Sequence, residues 1–233
     1  MLHLQGQETA VKTLSHAIET DRLHHAYLFS GPPHVGKTSM AFQFAQALNC
    51  TSPERPCELC DACQRIKQGL HADVQLIEID TTTEDGGPYT QITITQIRSL
   101  HESAHLKPYE GRQRVFIIQT ADRLSGDAAG ALLKILEEPP PSVVLILVSD
   151  NPDEIPATVR SRCLLLEFHP LPISQVAEVL RDQEGISAQH AEIIARLSRG
   201  SIGWAIAASH DQALQASLHQ QLERVSDAIE GGL

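Results

Sequence analysis

The sequence predicts an α/β fold: a phosphate-loop domain with a mostly parallel sheet flanked by helices, followed by a small helical lid domain. Three observations carry this. Short apolar runs of strand length alternate with stretches of helical periodicity, as in a parallel sheet covered on both faces. One run leads straight into Gly31-Pro32-Pro33-His34-Val35-Gly36-Lys37-Thr38, which fits G-x-x-x-x-G-K-[ST] at every fixed position. Beyond Pro170 and Pro172 the strand-like runs stop, and everything after Ser174 is helical in pattern.

Taken in order, Ala10, Val11, Leu14, Ala17 and Ile18 recur at helical spacing, which predicts a helix over 8–20. Ala26-Tyr27-Leu28-Phe29 is the strand before the loop, and residues 39–48 the helix after it. A cysteine-rich segment interrupts, then residues 74–79 read as a strand and 80–90 as an exposed loop. A helix over 94–104 is expected, with Thr95 as its cap ahead of Ile97 and Leu100. Residues 115–118 read as a buried strand, and 128–138 as a helix stopped by Pro139-Pro140-Pro141. Strands at 143–148 and 164–168 complete the sheet. The domain reading is therefore 1–169 for nucleotide binding, with an inserted module at 50–63, and 170–208 for a three-helix lid. Helices at 174–182, 187–198 and 201–208 build the lid, and 209–233 form a helical tail.

The chain of 233 residues has 18 Lys and Arg against 29 Asp and Glu, a formal charge of −11. That balance argues against gripping nucleic acid unaided, since backbone affinity comes from basic side chains neutralising phosphates. The longest apolar run, 143–148, is strand-sized, so no membrane partner is expected. Residues 1–8 hold no basic segment followed by an apolar one; no signal peptide is read, and a cytoplasmic protein is expected.

The loop motif carries its own chemistry. Loop amides and the helix N-terminus face phosphates, Lys37 adds a point charge, and the Thr38 hydroxyl can ligate Mg²⁺. The bland alternative is a degenerate loop kept for packing. Cys50, Cys57, Cys60 and Cys63 form a C-x6-C-x2-C-x2-C array, which in a reducing compartment reads as a metal site. Four thiolates close a tetrahedral Zn²⁺ site and leave no open position, so its role would be structural. Reduced thiols, a redox pair or an iron–sulfur cluster remain alternatives. Cys163 stands apart as an ordinary buried thiol, and the twelve histidines, including His101 and His105 on one helix face, read as surface or packing residues.

With these motifs in place, the chain resembles the clamp-loader branch of the AAA+ ATPases, and within it the delta-prime subunits of bacterial DNA polymerase III. The resemblance rests on His25-Ala26-Tyr27-Leu28-Phe29-Ser30-Gly31-Pro32, the cysteine array, Ala131-Leu132-Leu133-Lys134-Ile135-Leu136-Glu137-Glu138-Pro139-Pro140, and Ser161-Arg162-Cys163. It implies ATP and Mg²⁺ at Gly31, Pro32, Pro33, His34, Val35, Gly36, Lys37 and Thr38, with Gly6 and Gln7 near the adenine. It implies Ser149 and Asn151 near the terminal phosphate, and Arg162 as an arginine finger acting in trans on a neighbour's ATP. Taken alone, Arg162 would read as an ordinary ion pair. Implied partners are other loader subunits (gamma/tau and delta) and, through the assembly, the sliding clamp and primed DNA. Helices facing the ring's channel, among them 94–104 with Arg98, are where relatives meet DNA. A collar domain of relatives would begin near 209–233.

Two departures separate the chain from active relatives. Where they end the 115–118 strand with Asp-Glu, this chain has Gln119 and Thr120, and a threonine hydroxyl is a poor general base. Asp122 stands past the strand end. In the lid, Gly203 stands where catalytic relatives put a phosphate-sensing arginine. The resemblance therefore implies a mostly non-hydrolysing subunit of a loader serving a DNA-directed DNA polymerase. The alternative is a catalytically active, gamma/tau-like ATPase; a third and weaker class is a phosphate-loop kinase or transferase.

Overall fold

The computed structural model describes residues 2–80 and 90–211. The exposed loop expected at 80–90 lies almost wholly outside the described residues, as does the tail from 212 on. The chain divides into two compact units, one of Met1–Pro32 with Gly36–Phe168, the other of Pro33–Val35 with the residues from His169 onward.

In the first unit, the described residues form a five-stranded sheet of β1 (Ala26–Ser30), β2 (Val74–Ile77), β3 (Arg114–Ile118), β4 (Val143–Ser149) and β5 (Leu164–Glu167). Its order is β2-β3-β4-β1-β5 and every pairing is parallel. Parallel neighbours need crossovers, which here run through α2 (Lys37–Asn49), α3 (Asp61–Lys67), α4 (Ile94–Ala104), α5 (Gly126–Glu137) and α6 (Ala157–Arg160), while α1 (Glu8–Glu19) precedes β1. β1 and β4 are buried along their whole length, which is why they read as unbroken apolar runs. Leu28, Phe116, Ile118, Leu145 and Leu147 of the sheet form one cluster with Ile97, Leu100, Leu132 and Ile135 of α4 and α5. Tyr27 packs edge-on against Phe44 of α2, ring centres 5.1 Å apart.

The cap of α4 is not Thr95 but Thr93. Its hydroxyl accepts from the Gln96 amide while the Gln96 side chain accepts from the Thr93 amide, a complete capping box. Thr95 has Arg98 three residues on, which cannot close such a box. The short α3 and α6 and the 3-10 turns Ala121–Arg123 and Pro152–Glu154 went unread, being too short to show a period.

One buried carboxylate organises the lower edge of the sheet. Asp73, just before β2, accepts the amides of Tyr109, Glu110 and Gly111 at 2.7, 2.8 and 2.7 Å and the Arg114 guanidinium at 3.3 Å. Asn49, at the end of α2, takes the next two amides, Arg112 at 2.8 Å and Gln113 at 3.0 Å. Together they set where β3 begins. Burial alone would raise the Asp73 carboxyl, but the three amides and Arg114 outweigh it and hold it below its ordinary value.

The second unit contains α7 (Ile173–Asp182), α8 (Ala188–Ser198) and α9 (Ile202–His210). Val176, Leu180, Ala191, Ile194, Ala195 and Ala205 form its core. Within this unit the Gly203 amide donates to the His34 carbonyl at 2.8 Å, and a Cβ at Gly203 would stand 3.1 Å from that oxygen. Close packing as well as the missing side chain thus separates this position from one bearing an arginine.

Replacing Asp73 with Ala strands buried amides, and a loss of roughly 3 kcal/mol or more is expected in urea unfolding. Because its folded pKa is depressed, Asp73 contributes stability above about pH 4, its unfolded value, and loses it as pH falls through the lower folded value. Asp73→Asn should therefore flatten the acid limb of the stability–pH curve, and an unchanged limb would refute this role for Asp73.

Candidate functional site

β1 ends between β4 and β5, and the chain leaves it through the glycine-rich turn into α2. Two features make this turn possible. A Cβ at Gly31 would lie 2.2 Å from the Phe168 carbonyl oxygen, so backbone passes against backbone there. Gly36, the N-cap of α2, sits at φ 98°, with a would-be Cβ 2.8 Å from Leu4. No side chain caps the helix at Gly36, so the amides of its first turn stay available to an outside acceptor.

Lys37 is buried to 4% exposure, and its ammonium is the charge centre of the turn. It donates to the carbonyls of Gly31 at 2.6 Å and Pro32 at 2.5 Å and pairs with the half-exposed Asp150 carboxylate at 2.8 Å. Asp150 was missed in the sequence; its signal is position, one residue beyond a wholly buried strand that neighbours β1. Ser149 is buried, its carbonyl accepts the Gly31 amide at 3.3 Å, and its hydroxyl accepts from the Asn151 amide at 3.1 Å. Asn151 itself turns to the Pro152–Glu154 turn, accepting the Asp153 amide and donating to Glu154. Thr38 follows Lys37 in the first turn of α2 and is half-buried. Pro32, Pro33 and His34 are exposed, Val35 is buried, and His34 holds φ 62°. Gly6 (φ 71°) and the buried Gln7, which is the N-cap position of α1, lie in a segment tied to α2, where the His3 amide donates to Gln43 at 3.2 Å.

At the end of β3, Thr120 takes φ 53° and its hydroxyl donates to the Gln119 carbonyl at 2.7 Å. Asp122 folds back toward β4, accepting the Asp150 amide at 3.2 Å. It supports the backbone of the residue that holds Lys37.

Arg162 follows α6. One end of its guanidinium donates to the Thr158 carbonyl at 2.8 Å, and the other pairs with Glu137 at 2.9 Å. Glu137 closes α5, so the two most distinctive strings of the sequence meet through this ion pair. Nearby Cys163 packs against the core and is pushed up to about 12 by burial, an inert thiol.

The sulfurs of Cys50, Cys57, Cys60 and Cys63 all lie within 4.8 Å of one another. Around a tetrahedral ion with Zn–S of about 2.3 Å, sulfurs stand about 3.8 Å apart; Cys50 and Cys60 are at 3.9 Å. The Cys60 amide donates to the Cys57 sulfur at 3.3 Å, and Gln46 of α2 anchors the Cys63 carbonyl at 2.7 Å. Four soft donors converging in this way fit Zn²⁺.

A profile of the family described as "DNA polymerase III, delta subunit" matches residues 6–172. The chain is similar to DNA polymerase III subunit tau of Escherichia coli K12, 34% identical over 235 residues covering 98% of this chain and 35% of that protein. It is similar to subunit delta' of Bacillus subtilis 168, 34% identical over 193 residues covering 82% of this chain and 56% of that protein. It thus spans about a third of the one relative and just over half of the other. Among solved structures it shares the fold of a DNA polymerase III gamma subunit-related protein of Thermotoga maritima, with a TM-score of 0.55 and 20% identity covering 82% of this chain and 57% of that one. The Thermotoga maritima RuvB Holliday junction branch migration motor has the same fold, with a TM-score of 0.57 and 20% identity covering 88% of this chain and 60% of that one.

A methyl group at Gly31 has nowhere to go but into the Phe168 backbone, so Gly31→Ala should cost roughly 2 kcal/mol or more in chemical unfolding. Ala at the exposed Pro32 should stay within about 0.5 kcal/mol of the parent. Equal losses at the two positions would contradict the close approach.

Proposed function

The chain belongs to the clamp-loader family of bacterial DNA polymerase III, a branch of the AAA+ ATPases, and on that premise we propose that it is an ATP-binding loader subunit of the delta-prime kind that works in the cytoplasm. The observation that carries this reading is an asymmetry within one site. The parts that would hold a triphosphate are complete, from the open first turn of α2 to the Lys37 ammonium. The strand end beside them offers Gln119 and Thr120 in place of a carboxylate pair.

In this reading the phosphates lie along Gly31, Pro32, Pro33, His34, Val35 and Gly36, and Lys37 exchanges Asp150 for phosphate oxygens. Gly6 and Gln7 flank the adenine, while Ser149 and Asn151 stand toward the terminal phosphate. The Thr38 hydroxyl would hold Mg²⁺, which supplies charge neutralisation on the phosphates. With no carboxylate at the end of β3 to take a proton from water, bound ATP persists.

Arg162 acts on the nucleotide of a neighbouring subunit, and Glu137 holds its guanidinium until that contact forms. Gamma/tau and delta subunits are the partners, with the sliding clamp and primed DNA reached through the assembly. Zn²⁺ on Cys50, Cys57, Cys60 and Cys63 would cross-link the loop of the inserted module to α3.

The second reading, a hydrolysing gamma/tau-like subunit, draws on similarity to the tau relative over 98% of this chain. Nucleotide binding and turnover measured side by side separate the two. Tight ATP binding lost in Lys37→Ala, without turnover, is expected, as is an about 10²-fold or greater drop in loader ATPase for Arg162→Ala in a reconstituted ring. Turnover by the isolated protein that Lys37→Ala abolishes would make it a motor instead.

Metal analysis of the purified protein should find about one zinc, lost on strong chelation together with a fall in thermal stability. Cys60→Ser should carry markedly less. A full zinc content in Cys60→Ser would place the ion elsewhere.

A further inference from the structure

His101 and His105 occupy successive turns of α4, the second at its C-cap. Their Nε2 atoms are 3.5 Å apart and their rings meet nearly edge to face, centres 4.6 Å apart. With both rings neutral, one Nε2 donates and the other accepts, so the two imidazoles are in opposite tautomers. The arrangement does not belong to the nucleotide turn or to the cysteine cluster.

We propose that this pair is a chelating site for a late first-row divalent cation such as Ni²⁺ or Zn²⁺. With metal–nitrogen bonds of about 2.1 Å, two ligands of a tetrahedral ion stand about 3.4 Å apart, and two at a right angle about 3.0 Å. The 3.5 Å already present is close to the tetrahedral separation. Binding at both Nε2 atoms moves the donor ring's proton from Nε2 to Nδ1, so two neutral imidazoles become ligands by a change of tautomer with no net release of a proton.

The helix holds both Cα atoms at i and i+4, so little backbone ordering is required on binding. Imidazole suits these metals better than it suits Mg²⁺ or Ca²⁺, which prefer oxygen. An open groove of about 400 Å³ lined by His101, Glu102, Asp127, Arg98 and Lys134 leaves room for water in the remaining positions. Glu102 and Asp127 favour a cation there, and Arg98 and Lys134 oppose it. Two neutral ligands with mixed surroundings make a weak, exchangeable site, unlike the closed set of four thiolates.

The test titrates Ni²⁺ into the zinc-loaded full chain by calorimetry, with thiolate charge-transfer absorption recorded in parallel. One Ni²⁺ should bind without thiolate absorption, and His101→Gln and His105→Gln should each weaken it about tenfold or more. Both variants keep a polar side chain of similar reach on an exposed helix face, and an unchanged far-UV circular dichroism spectrum and thermal midpoint check that each is folded. A control at another histidine pair, His24→Gln with His25→Gln, should leave the isotherm unchanged. An isotherm indifferent to both His101 and His105, no binding by the parent, or Ni²⁺ held only with thiolate absorption would overturn the proposal.

Discussion

A buried ammonium group is the constraint around which the upper edge of the sheet is arranged. Lys37 has little solvent, so its charge must be met by protein atoms, and it is met by the carbonyls of Gly31 and Pro32 and the carboxylate of Asp150. Those contacts join the two ends of the glycine-rich turn to the end of β4. Asp122 then fixes Asp150 by accepting its amide, so the 3-10 turn after β3 is drawn into the same network. Each of these partners is an oxygen acceptor, and so is a phosphate. An anion arriving at the turn would therefore meet Lys37 through the same kind of bond that Asp150 now makes.

The lower edge is organised by the opposite charge. Asp73 gathers three consecutive amides and a guanidinium, and Asn49 takes the two amides that follow. A loop with five amides turned inward has no secondary structure to satisfy them, and two short acceptors do so instead. Because β3 starts directly beyond this loop, its register against β2 and β4 is anchored there. That register decides that Gln119 and Thr120, rather than their neighbours, stand at the strand end.

Most of the fold was legible because its elements are long or wholly apolar. β4 is buried at every position and reads as an unbroken aliphatic run; α4, α5, α7 and α8 each show a stripe at helical spacing. What escaped was local or long-range. α3, α6 and two 3-10 turns are shorter than the windows in which a period appears, and Thr93 and Thr95 both stand ahead of the apolar stripe, so only the box with Gln96 tells them apart. The parts of the candidate site that lie on one stretch, the glycine-rich turn and the cysteine array, were visible as spacings. The partners Asp150, Asp122 and Glu137 were not, since which strand ends lie side by side depends on sheet order and no motif states it.

The Glu137–Arg162 pair bears on selectivity between anions. A guanidinium already matched by a carboxylate shows little net positive charge to its surroundings, and only a ligand that outcompetes one unit of negative charge at close range can take it. A triphosphate concentrates several charges within reach of a single side chain, whereas each phosphodiester of a nucleic acid carries one. For any anion that reaches it, an arginine paired in this way would discriminate by charge density, favouring a dense polyanion over a nucleic-acid strand without recognition of a base or sugar.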